Sequence, residues 1–207
     1  HKKDQTYFLY RVNSSALEKT LFPLGDYLKT EIREIAFKNN LVTKDKKESM
    51  GICFVGKVGI KDFLTNFVNT SPGPVIDQNG VEVGTHDGAI FYTIGQRHGL
   101  NVGGGLPYFV TSKDMATNTV YVTSQLDDEK LWSQNIKLVS SHYINSRPNK
   151  NQNYQVRVRH QGELLDAEIN GSEVVLKDKV KALNSGQSVV IYDDEEVLGG
   201  GIISTTN

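Results

Sequence analysis

Among 207 residues there is one thiol, Cys53, and it is the first group to weigh as a chemical agent. A lone cysteine is commonly just a small buried hydrophobe. Cys53 sits in Gly51-Ile52-Cys53-Phe54-Val55-Gly56, where the bracketing glycines let the backbone bend tightly, and Lys44, Lys46 and Lys47 precede it. Cations folded close to a thiol lower its pKa, and the thiolate is the form that attacks sulfur or accepts a persulfide. Residue type alone leaves both a structural and a sulfur-handling thiol open.

His86, His98, His142 and His160 are conceivable bases for Cys53, but none has metal-ligand spacing to another His or to Cys. No metal site is expected, and each reads first as a surface or hydrogen-bonding histidine. Gly103-Gly104-Gly105 and Gly199-Gly200-Gly201 invite a phosphate-loop reading. Neither ends in Gly-Lys-Ser/Thr nor opens a helix after a strand, so bulges or close backbone approaches are expected instead. Arg157 and Arg159 alternate along a strand pattern, which predicts one shared sheet face suited to backbone phosphates, with Lys150 and His160 near in sequence. A solvated strand face is the plainer alternative.

The elements that must hold these residues fall into three stretches. Ser14 or Ser15 is expected to cap a helix over Ala16 to Leu21, which Phe22-Pro23-Leu24-Gly25 breaks. Asp26 is expected to cap a second helix that packs Leu28, Ile32, Ile35 and Ala36 on one face and exits at Asn39-Asn40. Thr43 to Glu48 reads as a charged connection, and Ile60 to Val68 as a further helix. Val75 to Val83 carries a hairpin signal, with Asn79-Gly80 predicting a type I′ turn. From Tyr108 onward the pattern is short strands and polar turns, Asn170-Gly171 among them, as in a small barrel or sandwich.

Composition bounds the rest. A hydrophobic share of 38% supports one large or two small domains, and a net charge of -1 excludes a strongly basic nucleic-acid binder while permitting a local basic stripe. No apolar run approaches the roughly 20 residues that span a bilayer. No secretory signal is present, and one cysteine gains nothing from an oxidising compartment, so a cytoplasmic location is expected. The opening His1-Lys2-Lys3 lacks an initiator Met, which suggests a piece of a longer protein.

Five strings occur in order along the chain: Lys3-Asp4-Gln5-Thr6-Tyr7-Phe8-Leu9, Phe22-Pro23-Leu24-Gly25, Glu48-Ser49-Met50-Gly51-Ile52-Cys53-Phe54-Val55-Gly56, Tyr92-Thr93-Ile94-Gly95-Gln96-Arg97-His98-Gly99-Leu100 and Leu198-Gly199-Gly200-Gly201-Ile202-Ile203. Together they resemble the tRNA-specific 2-thiouridylase family over essentially the whole chain. Thr6, where the family often has Ser, and Glu48, where it often has Asp, are mild departures.

The resemblance implies an α+β protein. Residues 1–52 would be a helical remnant of an N-terminal α/β ATP-pyrophosphatase domain, 53–130 a small mixed central domain and 131–207 a C-terminal all-β barrel. It implies an enzyme that adenylates the 2-oxygen of the wobble uridine in Lys, Glu and Gln tRNAs and replaces it with sulfur carried as a cysteine persulfide. By the same resemblance Cys53 is the persulfide-accepting catalytic cysteine. Lys3, Asp4, Gln5, Arg157, Val158 and Gln187 match segments that contact tRNA. The implied partners are tRNA and a sulfur-relay protein or cysteine desulfurase, without a membrane. ATP with Mg is implied for the full-length enzyme. This sequence holds neither the ATP loop nor a second cysteine, so ATP is not expected to bind here and the chain alone is expected to be inactive. A stand-alone RNA-binding or adaptor module with a structural cysteine is the alternative; a cysteine hydrolase ranks last, lacking any nucleophile–base signature.

Overall fold

The structure, a computed structural model, describes residues 4–46, 60–103, 105, 107–150 and 152–206. Lys3 and Cys53 lie outside the described residues.

The N-terminal stretch is made of short helical pieces. A 3₁₀ turn covers Thr6–Leu9, and α1 is a single turn over Ser14–Leu17. Its cap is Asn13, whose side chain accepts from the Ala16 amide at 2.9 Å, so the cap lies one residue before the expected serines. α2 spans Lys29–Lys38 and starts at Leu28, not at Asp26. There the Glu31 carboxylate reaches back to accept from the Leu28 amide at 2.6 Å. Asn39 and Asn40 form the exit as expected, Asn40 with φ 51. The apolar face of α2 departs from expectation: no residue of the helix is buried, and Leu28, Ile35 and Phe37 are exposed. Its amphipathic pattern makes a helix, but no described element covers the stripe. α3 (Ile60–Leu64) is shorter than the apolar run predicts. The Asn66 carboxamide donates to the Asp62 carbonyl at 3.0 Å, competing for the backbone acceptors a longer helix would use.

The middle of the chain is a five-stranded mixed sheet. β1 (Gly73–Ile76) and β2 (Glu82–His86) form the expected hairpin, with a bulge between Val75 and Ile76. Its turn is not type I′, because only Gly80 takes a positive φ. The Asp77 carboxylate accepts from the amides of Asn79 and Val81, both at 2.9 Å, and this side-chain-built turn displaces the two-residue one. β3 (Asn101–Val102), β4 (Phe109–Asp114) and β5 (Thr119–Thr123) complete the order β3-β2-β1-β5-β4, with β1 and β5 parallel. Val75, Val110, Val120, Val122, Ala89 and Tyr92 form its core.

Six strands then close into a barrel, which decides between the barrel and sandwich readings. They are β6 (Trp132–Tyr143), β7 (Asn153–Arg157), β8 (Leu165–Asn170), β9 (Glu173–Lys181), β10 (Ser188–Asp193) and β11 (Glu196–Thr206). The cyclic order is β10-β11-β6-β9-β8-β7, and β7 pairs with β10 to close it. Inward residues such as Val156, Ile169 and Leu176 alternate with more exposed neighbours, so these strands bury one face. The chain is therefore α+β with a C-terminal barrel.

Two glycine sites carry this arrangement. Gly199-Gly200-Gly201 lies inside β11 at a register shift, as the close-approach reading expects. A Cβ on Gly199 would stand 2.2 Å from the His142 carbonyl, and one on Gly200 would stand 2.2 Å from the Val189 carbonyl. The second site joins the sheet to the barrel. Gly95, with φ +81, presses its bare Cα against Ala182, and an added Cβ would lie 2.3 Å from the Ala182 Cβ. Beside it the Asn184 side chain accepts from the Ile94 amide at 2.9 Å, and its amide group faces the Ile94 and Ala182 carbonyls. Ala182 itself holds φ 62, a left-handed conformation that favours glycine.

Gly95→Ala should therefore destabilise the protein by about 2 kcal/mol or more, combining positive-φ strain with a clash. Thermal unfolding checks this, and adding Ala182→Gly should restore part of the loss by removing the opposing methyl.

Candidate functional site

The strand β10 reads Ser188-Val189-Val190-Ile191-Tyr192-Asp193, an apolar run without polar alternation. Val189 and Ile191 point into the barrel. Val190 and Tyr192 therefore point out, and burying them requires a cover. The 3₁₀ turn supplies it: Tyr7 and Tyr10 pack on Val190 and Tyr192 as a separate buried cluster. The Tyr7 hydroxyl donates to the Ser188 carbonyl at 2.8 Å, and the Tyr10 hydroxyl lies 3.0 Å from the Ser188 hydroxyl. Gly200 makes room for Tyr10, whose ring would stand 3.0 Å from a Cβ there. Burial pushes the Tyr7 phenol up to about 12, aided by the neighbouring Tyr10 and Tyr192. Burial likewise raises Tyr192.

Magnitudes say what holds this seam. Each buried aromatic ring contributes roughly 2–3 kcal/mol, and the Tyr7 hydrogen bond about 1 kcal/mol. The nearby Asp4–Arg157 pair, at 4.0 Å and partly exposed, adds no more than about 1 kcal/mol. The rings clamp the turn, and the charges beside them are left available for another partner.

Those charges are the residues the sequence singled out. Asp4 stands at the start of the turn; burial acts to raise its pKa, but hydrogen bonds from Thr6 and the Arg157 guanidinium hold the carboxyl below its ordinary value. Arg157 ends β7 on the outer face, opposite Val190, with its guanidinium 5.3 Å from the centre of the Tyr192 ring. Gln5 opens the 3₁₀ turn, its carbonyl accepting from the Phe8 amide at 2.9 Å. Gln187 directly precedes Ser188, the residue both tyrosines engage. Asp4 thus meets Arg157 across the seam, with Gln5 next to Asp4 and Gln187 next to Ser188, although the two sides are far apart in sequence.

One expectation changes, and two further residues gain a setting. Arg159 does not share a face with Arg157, because β7 ends at Arg157 and the chain bends away; the Arg159 guanidinium donates to the Lys181 carbonyl at 3.1 Å. The Val158 side chain is buried in the barrel core, leaving only its backbone for an external contact. Lys44 is engaged within the helical stretch, donating to the Asn40 side chain and lying 5.3 Å from the Phe37 ring centre.

The histidines have separate settings. His86 is buried in the central sheet, its Nδ1 accepting from the Gly88 amide at 2.9 Å, and burial lowers its pKa. His160 lies at the seam, its ring 4.6 Å from Phe8 and 5.7 Å from Tyr7 between centres. Tyr7, Phe8, Tyr10, Tyr192 and His160 were not singled out by sequence as parts of one site. The available signal was the unbroken Val189–Tyr192 run, which demands a cover on both sides.

The seam also holds polar atoms without partners. Arg157 Nε, His160 Nδ1, Gln187 Oε1 and Tyr192 Oη are buried and make no hydrogen bond among the described residues. Buried polar groups are ordinarily satisfied, so each is an unmet hydrogen-bonding demand. Gly199–Gly201 forms no phosphate loop: it is strand, and the His142 and Val189 carbonyls stand where side chains at Gly199 and Gly200 would go. Among the described residues no group of three or more His, Cys, Asp or Glu is placed to hold a metal. No described helix is long and apolar enough to cross a membrane.

Comparison with known proteins follows this architecture. Residues 1–57 match the tRNA methyl transferase HUP domain, 61–124 the tRNA methyl transferase PRC-barrel domain and 133–203 the aminomethyltransferase beta-barrel domain. A tRNA-specific 2-thiouridylase MnmA from Francisella philomiragia is 41% identical over 97% of this chain. The chain belongs to the tRNA-specific 2-thiouridylase family. The Listeria innocua relative of the same name is 41% identical over 99% of the chain, and that of Listeria welshimeri 39% over 99%. The chain spans 59% of the length of the Francisella relative and 57% of each Listeria one.

The clamp gives a direct test. Tyr7→Phe should cost about 1 kcal/mol in urea unfolding, and Tyr7→Ala about 3 kcal/mol or more, since it removes the ring as well.

Proposed function

We propose that this chain forms the tRNA-gripping and sulfur-carrying part of an enzyme that converts the wobble uridine of Lys, Glu and Gln tRNAs to 2-thiouridine. The observation that carries this reading is the seam, where Asp4 pairs with Arg157 and Gln5 and Gln187 flank the tyrosine clamp, in a chain of this family. Arg157, beside the Tyr192 ring, supplies a cation for a backbone phosphate. Asp4, Gln5 and Gln187 offer acceptors and donors to base edges or ribose. Lys3 adds a second cation, and Val158 contributes through its backbone.

Cys53 carries the incoming sulfur as a persulfide; its outer sulfur attacks C2 of the uridine and displaces the adenylated 2-oxygen as AMP. A second thiol outside this sequence then cleaves the S–S bond, closing a disulfide with Cys53 as 2-thiouridine is released. A relay protein or a cysteine desulfurase delivers it. Division at about residues 52 and 130, a cytoplasmic location and use of ATP with Mg by the full enzyme belong to the same proposal. The chain alone, without an ATP loop or a second cysteine, is inactive.

Two measurements test the reading. In cells without the native enzyme, the protein's full natural form carrying Cys53→Ser should leave bulk tRNA without 2-thiouridine. Normal thiolation would instead favour a structural thiol in an RNA-binding module. Mass analysis of the same nucleosides separates thiolation from the methylation named in the domain descriptions. Arg157→Ala should weaken tRNA binding by about tenfold or less and lower the salt slope by about one; an unchanged slope excludes a phosphate contact there.

A further inference from the structure

Phe8 is placed unlike the other exposed apolar side chains. Its neighbours in the 3₁₀ turn, Tyr7 and Tyr10, are buried at 6% and 4% exposure, while Phe8 between them is 57% exposed. The turn is pinned to Ser188 from both sides, so the ring is presented by a fixed scaffold. One side of the ring is backed: Tyr7 meets it edge-on at 5.3 Å and 89°, and His160 lies tilted against it at 4.6 Å and 41°. The rest is open. The unpartnered Nδ1 of His160 belongs to that backing ring, and Arg157 stands in the same seam against Tyr192.

Solvated exposure of a single Phe needs no explanation in general. Here a rigid, backed ring lies beside a cation and unsatisfied polar atoms, an arrangement that matches one ligand chemistry. Unpaired bases bind by stacking on aromatic faces while their phosphates are held by Arg or Lys and their edges by polar groups. A paired base has both faces occupied by its neighbours in the helix and cannot use such a ring. An apolar protein segment would use the ring but would leave His160 Nδ1 and Arg157 Nε unsatisfied.

We infer that Phe8, backed by His160, is a stacking platform for an unpaired nucleobase of the bound RNA. This rests on the RNA-binding reading of the seam and adds to it the state of the nucleotide bound there, extruded from pairing. The platform contributes affinity for looped RNA and none for duplex.

The experiment titrates the intact chain with an anticodon stem–loop carrying 2-aminopurine in the loop, and with a blunt RNA duplex of equal charge. Phe8→Ala should loosen the stem–loop about tenfold and leave the duplex unchanged. Phe8→Trp should keep the affinity and deepen the quenching of 2-aminopurine. Phe8→Leu preserves an apolar side chain without a π face and should bind like Phe8→Ala. Unchanged stem–loop affinity in Phe8→Ala, with Arg157→Ala still weakening it, overturns the platform and leaves the RNA surface standing. Unchanged affinity in both variants overturns the RNA surface as well. Wild-type affinity in Phe8→Leu reduces the contact to plain apolar packing and also overturns the platform. Equal loss on stem–loop and duplex, with a lowered unfolding temperature, shows a structural role and overturns it too.

Discussion

The outer face of β10 must be kept from water, and the site exists because of how that is done. A barrel strand normally buries one side and offers polar residues on the other. β10 instead places Val190 and Tyr192 outward, and the two tyrosines of the N-terminal 3₁₀ turn cover them. Covering that face draws Asp4 and Gln5 to Arg157 and Gln187. The apolar contact sets the position of every polar group at the seam, while the polar groups themselves contribute little to holding it.

This division of labour explains the chemistry left at the surface. A charge pair that stabilised the fold strongly would be desolvated and closely matched. Asp4 and Arg157 are neither, standing at 4.0 Å with part of each side chain in solvent. Arg157 is instead held beside the Tyr192 ring, its guanidinium 5.3 Å from the ring centre. The joint at Gly95 and Asn184 plays a parallel role between the central sheet and the barrel. It combines a packing contact that tolerates no side chain with a side-chain amide bonded to backbone.

Much of the fold was legible because periodicity reports burial. The hairpin of β1 and β2, the barrel strands and the close approach at Gly199–Gly201 follow from local pattern and turn chemistry. Details failed where a side chain outbid the expected backbone device: Asp77 rebuilt the hairpin turn, Glu31 and Asn13 took the helix caps, and Asn66 shortened α3. The shared face of Arg157 and Arg159 failed because alternation holds only while a strand continues. Asp4, Gln5, Arg157 and Gln187 were named through family resemblance. Their meeting at one seam depends on a contact between residues 7 and 188, which no local window contains. The exposed stripe of α2 shows the converse, since its pattern is legible but no described element meets it.

The Tyr7–Ser188 contact closes a loop of 181 residues. Chains emerge from the ribosome N-terminus first, so the 3₁₀ turn is made early and has nothing to sit on until β10 appears. The central sheet can form in the meantime from its own near contacts. The seam therefore cannot be assembled before β10 has been made, and its completion reports that synthesis has reached the last strands of the barrel. A chain truncated before residue 188 would hold every N-terminal contact residue and still lack the surface they form.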